Sequence, residues 1–304
     1  VNKPLLLLFA TGALLGLYFP LGKIATGAGV NPVLWACMIS LGAGLSTAVV
    51  SRFAEPAVPT NLRLLRYAGI SGTLSNVVPH FLTFSAIPHI GAGLAAILVA
   101  LSPVTTALLS LVFRVRPPGP LGLAGVFAGL IGALIIILGR NDDFGSAAYR
   151  WLLLATLIPV FLGLGNIYRT AGWPSGAPPM QLASLTNLAA VPPLLLIAAL
   201  SDGGIDLRPL LAVPGLAAGQ IAVSSIAYVM FFRLQQLGGP TYLSQIGYVS
   251  AVVGVGIGVT MLHEAYPLSV WIGTTVVAFG IGLATIAQVR AAASAPRPPR
   301  SAQQ

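Results

Sequence analysis

Phe84-Ser85-Ala86-Ile87-Pro88-His89-Ile90-Gly91 is answered 148 residues later by Phe232-Arg233-Leu234-Gln235-Gln236-Leu237-Gly238-Gly239. The register then holds without a gap to Gly132. Ser102 falls on Ser250, Val104 on Val252, Gly125 on Gly273 and Gly132 on Gly280. Upstream, an offset of 147 pairs Gly16 with Gly163 and Pro32 with Pro179. Each half contains five hydrophobic spans. An odd number of crossings reverses direction through a membrane, so two such copies face opposite ways. Inverted repeats of this kind are the sequence trace of alternating-access transporters, with the substrate site between the halves near mid-membrane.

Composition narrows the class independently. Charged residues make up 7% of 304, against roughly 25% in a soluble domain. With 56% hydrophobic residues and a mean hydropathy of +0.92, only lipid can cover the apolar surface. The net charge of +9 comes from basic residues scattered singly at span ends. They read as topology signals and not as a nucleic-acid surface. Cys37 is the single cysteine, so no intramolecular disulfide can form. Lys3 followed by Leu5 to Leu17 has the charge and apolar core of a signal peptide. The run continues to about Gly22 with no large polar domain after it, and is read as an uncleaved first span.

About 20 apolar residues are needed for one crossing. Ten candidates satisfy this: Pro4–Gly22, Pro32–Val50, Tyr67–Ala86, Gly91–Phe113, Pro120–Gly139, Trp151–Arg169, Met180–Leu200, Leu210–Phe232, Pro240–Leu262 and Leu268–Val289. Short Pro-, Gly- and Asn-rich links force neighbours antiparallel. With the N-terminus in the cytoplasm, the inner side holds Lys3, Arg52, Arg63, Arg66, Arg114, Arg116, Arg169, Arg233, Arg290, Arg297 and Arg300. The outer side then holds Lys23, Arg140, Arg150 and Arg208. That asymmetry puts both termini inside. Trp35, Tyr149, Trp151 and Trp271 are expected in an outer aromatic belt and Tyr67 in an inner one. The expected architecture is an all-α integral membrane protein: ten transmembrane helices in two inverted five-helix repeats around a central cavity. Residues 1–140 form the first repeat, 149–290 the second, and 291–304 a disordered cytoplasmic tail.

The sequence Phe84 to Leu98 leads into Leu101-Ser102-Pro103-Val104. In the second copy, Leu237-Gly238-Gly239 leads to Tyr248-Val249-Ser250-Ala251-Val252, then to Leu262-His263-Glu264 and Gly273. These blocks resemble those of EamA-type transporters in the drug/metabolite transporter superfamily, with Glu264 at the family's Glu position. Leu15-Gly16-Leu17-Tyr18-Phe19 followed by Lys23 is similar to the family's early Trp-Gly…Phe…Lys pattern, without the Trp. Arg116 at the equivalent Glu and Ala251 at a usual Pro are departures. The resemblance implies ten helices in two inverted bundles, cytoplasmic termini and efflux of small metabolites. Within the group, the YddG-like bacterial amino-acid exporters are the nearest type.

Polar side chains inside spans need partners or a wet cavity. Asn76, His80 and Thr83 recur at spacings of four and three, one helical face of span three. Pro79 is expected to loosen the hydrogen bonding beside them. His80 and Asn76 fall on Tyr228 and Ser224 under the repeat. Span nine adds Tyr242, Gln245 and Tyr248 as a polar-aromatic stripe, and Tyr18 and Asn166 come from spans one and six. Each group is read as cavity lining, against the alternative of helix–helix hydrogen bonding. Arg169 and Arg233 are read as snorkelling topology charges. His89, His263 and Glu264 fall in outer links and are expected to be solvated.

Gly254, Gly256 and Gly258 mimic a nucleotide loop but sit inside an apolar helix with no preceding strand. Gly125–Gly129 and Gly254–Gly258 are close-approach pairs. Spans five and ten are therefore packing spans, within the protomer or between two copies of a homodimer. Pro267 stands where a zincin needs its second His, no Walker loop exists, and no span holds a carboxylate. The chain is read as a transporter and not an enzyme, with no cofactor, no metal and no nucleic acid. Its expected partners are the lipid bilayer and a small-molecule substrate, amino acids or related metabolites. Phenols, amides and hydroxyls without a deep fixed charge suit zwitterions. With only His80 to titrate within the spans, facilitated export is favoured over proton-coupled drug or organic-cation efflux; a membrane enzyme is the remote alternative. The expected location is a bacterial-type cytoplasmic (inner) membrane.

Overall fold

The computed structural model describes residues 3–56, 58–113, 119–138, 146–201 and 204–294. Within the helices, the side chains at 3–4, 111, 146, 170, 232, 235–245, 288–289 and 291–294 lie outside the description. Every described element is helical: α1 (Lys3–Gly16), α2 (Tyr18–Gly27), α3 (Pro32–Ala54), α4 (Leu62–Gly72), a π turn (Thr73–Val77), α5 (Val78–Ile90), α6 (Ala92–Ala100), α7 (Ser102–Val112), α8 (Pro120–Leu138), α9 (Ser146–Ala155), α10 (Leu157–Ala171), α11 (Pro179–Leu200), α12 (Arg208–Ala212), α13 (Pro214–Thr260) and α14 (Leu268–Ser294).

Among the described residues, eight helical runs are long and apolar enough to cross a bilayer: 5–27, 32–54, 92–110, 120–138, 147–169, 179–200, 214–231 and 268–287. Ile246–Thr260 is a shorter apolar helix. The run from Leu62 to Ile90 is broken into three pieces by the π turn. Together these account for the ten expected spans. Their ends follow local chemistry: Asn31 Oδ1 accepts from the N–H groups of Val33 and Leu34 and Pro32 opens α3, while Asn61 caps α4.

Expected spans eight and nine are continuous helix over 47 residues, which laid straight would be about 70 Å long. They do not run straight. Pro209, just before α13, lies against Gly29, and Glu264, just after it, pairs with Lys23. Both ends of α13 therefore lie at one end of the molecule, and the chain folds back between Leu234 and Ile246, which share an apolar cluster with Leu8. At the opposite end, Glu55 accepts from the backbone N–H of Met180 and Gln181. The first four residues of the expected tail continue α14, and 295–304 lie outside the described residues.

The main pairings are α8 with α14, α1 with α13, α3 with α11, α6 with α13, and α7 with α10. Their contacts come in couples that the sequence offsets exchange. A Cβ placed on Gly125 would meet the Gly280 carbonyl at 2.6 Å, and one on Gly132 would meet the Gly273 carbonyl at 2.7 Å. Since Gly273 and Gly280 are the repeats of Gly125 and Gly132, the crossing is reciprocal, as across a two-fold axis. Likewise Gly16 abuts Val253, whereas Gly163 abuts Thr105, the residue 148 positions before Val253. Spans five and ten thus pack on each other within the protomer. Phe127, Leu130, Ile131 and Leu134 of α8 stay exposed, an apolar face suited to lipid. Two belt expectations fail: Trp35 is fully buried and Tyr67 nearly so, while Tyr149 and Trp271 are exposed as expected.

Candidate functional site

Pro79 has no N–H to offer the Ser75 carbonyl and its ring crowds that carbonyl. The preceding turn relaxes to π geometry, and Val78 N–H bonds back to the Thr73 carbonyl. π turns concentrate at functional positions. The wider turn separates residues that an ideal helix would stack. Asn76 is directed to α11, where its Nδ2 donates to Asn187 Oδ1 at 3.1 Å. His80 is directed to α3, with Nδ1 3.4 Å from Ser40 Oγ, and its ring meets the Phe84 ring edge-on at 6.0 Å. Thr83 is buried. Asn76 and His80, expected to share one face, therefore address different helices.

A second polar group joins α2 to α13. The Tyr18 hydroxyl faces Ser224 and Tyr228 without a hydrogen bond of good geometry. Ser224 is fully buried and donates to the Ile221 carbonyl. Tyr228 is half-buried and lies within electrostatic reach of Arg169. Arg169 Nη2 donates to Asn166 Oδ1 at 2.5 Å, and Asn166 Nδ2 donates to Thr106 Oγ1 at 3.2 Å. Tyr67 donates to the Arg169 carbonyl and stacks on Tyr168 at 5.6 Å.

Arg169 overturns its reading as a snorkelling charge. Helical side chains lean toward the helix N-terminus, and this one turns back to Asn166, one turn nearer mid-span, instead of passing the end of α10. A cation that the sequence reading left out therefore stands within electrostatic reach of Tyr228.

Tyr248 is turned the other way: its hydroxyl lies 3.1 Å from Thr285 Oγ1 of α14, a helix–helix contact away from the Tyr18 group. The side chains of Tyr242 and Gln245 lie outside the described residues. Ser40 and Asn187 were missed in sequence. Both are buried, and the signal was present, since they are 147 residues apart and each meets a polar residue of the π-turn region. A cleft of about 80 Å³ lies by Val58, Asn61 and Pro174, not among these groups.

At the other end, Glu264 is buried and not solvated as expected. Oε1 receives Lys23 Nζ at 2.5 Å and Ala92 N–H at 2.7 Å, Oε2 receives Gly93 N–H at 3.0 Å, and the Tyr266 hydroxyl also donates to Oε2. Gly91, at φ +88, lets the chain turn so that the α6 N-terminus faces this carboxylate. Burial alone would raise the Glu264 carboxyl. The donors Lys23, Tyr266, Gly93 and Ala92 outweigh it and hold the group below its ordinary value. Burial first, then Glu264 beside it, pushes the Tyr266 phenol up.

Repeated, reciprocal helix packing around interior polar groups defines a polytopic helical membrane protein. Residues 2–138 match the EamA-like transporter family, so the first half of the chain carries an EamA family domain of the drug/metabolite transporter superfamily. It is similar to the "Uncharacterized inner membrane transporter YedA" of Escherichia coli K12, at 26% identity over 286 residues covering 90% of each chain. The YedA proteins of E. coli O6:H1 and O157:H7 match to the same extent. A crystal structure of a protein 20% identical superposes with a TM-score of 0.62, covering 95% of this chain and 99% of that one, and shares its fold.

Proposed function

We propose that this protein exports small amphiphilic metabolites, amino acids of the kind handled by YddG-like exporters, across a cytoplasmic (inner) membrane with both termini inside. Residues 1–140 and 149–290 act as two inverted repeats that rock about a central site. The carrying observation is that the interior polar groups are assembled across the repeats: Tyr18 faces Ser224 and Tyr228, and Asn76 bonds Asn187. Hydroxyls and phenols held among apolar walls suit a zwitterion with an apolar side chain. Organic-cation efflux is disfavoured because no span holds a carboxylate. Transport is facilitated, running down the substrate gradient.

Counterflow tests this directly. Purified protein in liposomes preloaded with unlabelled amino acids is expected to accumulate labelled amino acids saturably without a proton gradient. Folded protein that accumulates none sinks the amino-acid reading. Accumulation only under an imposed proton gradient sinks the facilitator.

A further inference from the structure

We infer that Arg169 is the carboxylate-binding residue of the transport site, which narrows the substrate class to small molecules bearing a carboxylate; the inference rests on the transport reading above.

Six acidic residues occur in the chain. Glu55 is engaged with the α11 N-terminus, Asp206 with Arg208, and Glu264 with Lys23. Asp142, Asp143 and Asp202 lie outside the described residues. Among the described residues no carboxylate pairs with Arg169. A guanidinium carries five N–H donors, and among the described residues one side-chain acceptor, Asn166 Oδ1, meets it. Its other charted neighbours are the phenols of Tyr67 and Tyr228. Arg169 is the last residue of the apolar run 147–169 and its side chain turns back into that run, where a cation is costly unless an anion or a polar chamber compensates it.

The surroundings suit an anion that comes and goes. Asn166, itself tied to Thr106, fixes one edge of the guanidinium plane. Tyr228 lies within electrostatic reach of both Arg169 and Tyr18, so the cation shares one polar neighbourhood with the residues that face each other across the two repeats. A planar guanidinium receives a carboxylate through two parallel hydrogen bonds, which a lysine ammonium cannot reproduce.

The test uses full-length protein in liposomes and two labelled probes, L-phenylalanine and L-phenylalaninamide, which differ at the carboxylate. Wild type is expected to half-saturate with phenylalanine at a concentration about tenfold or more below that for the amide. Arg169→Gln should raise the phenylalanine value by about the same factor and leave the amide value within about twofold. Arg169→Lys should fall between. A wild type that carries both probes alike, or an Arg169→Gln protein that still discriminates, overturns this inference alone. Uptake of neither probe by folded wild type overturns the amino-acid reading and this inference with it. The wild-type comparison decides even if a variant misfolds.

Discussion

At the scale of single residues, Glu264 carries several contacts at once. It ties Lys23 of α2, the N-terminus of α6 and Tyr266 ahead of α14 into one clasp at the end of the molecule opposite Arg169. Lys23 is one-third exposed and Glu264 hardly at all. The ammonium's share is therefore screened, and the buried N–H groups of Ala92 and Gly93 matter more. Glu264→Gln should lower stability by about 2 kcal/mol, read from thermal unfolding in detergent. The pH dependence has a defined sign. The folded carboxyl is held below its ordinary 4.5, so its contribution is complete above that value and disappears as pH falls through the depressed one. Wild type should therefore lose stability on acidification below about pH 4.5, and the Gln variant should lack this component. Equal acid sensitivity in both proteins would show that the clasp is not the titrating element.

Among elements, the crossing of α8 and α14 is set by close backbone approach and not by side-chain chemistry. A Cβ on Gly132 would sit 2.7 Å from the Gly273 carbonyl, whereas one on Gly282 meets nothing within 4 Å. Gly132→Val should cost about 1–3 kcal/mol through overpacking. Gly282→Ala should be neutral or stabilising by up to about 1 kcal/mol. Thermal unfolding of the two variants side by side checks this; equal effects would mean that the crossing tolerates side chains. The π turn before Pro79 is the other decisive local feature. It directs Asn76 to α11 and His80 to α3, where an ideal helix would aim both at one neighbour.

For the whole molecule, the two ends are distinct in the fold. Arg66 is exposed near the end that holds Glu55 and Tyr67, and Arg208 is exposed near the end that holds Gly29 and Lys23. Cysteines at these two positions, with buried Cys37 replaced by alanine, should label from opposite sides of the membrane in intact cells. Labelling of both from one side would break the proposed topology. The proposed rocking of two repeats would require Asn76 and Asn187 to exchange partners, because that bond crosses the proposed interface.

Much of this was legible in the chain itself. Hydropathy is a property of composition and run length, and the constant offsets survive in glycines because a missing Cβ is needed wherever the repeat packs closely. Span number, the packing role of α8 and α14 and the polar positions Tyr18, Asn76, His80, Ser224 and Tyr228 follow from those two signals, whereas the crossing of α8 with α14 inside one protomer does not. Side-chain direction does not follow from them. Tyr248 turns to Thr285, Arg169 turns back to Asn166, and Glu264 is buried against Ala92 and Gly93. Each depends on which neighbouring helix supplies a polar partner, and in a chain this uniformly apolar the neighbours are fixed only by tertiary packing.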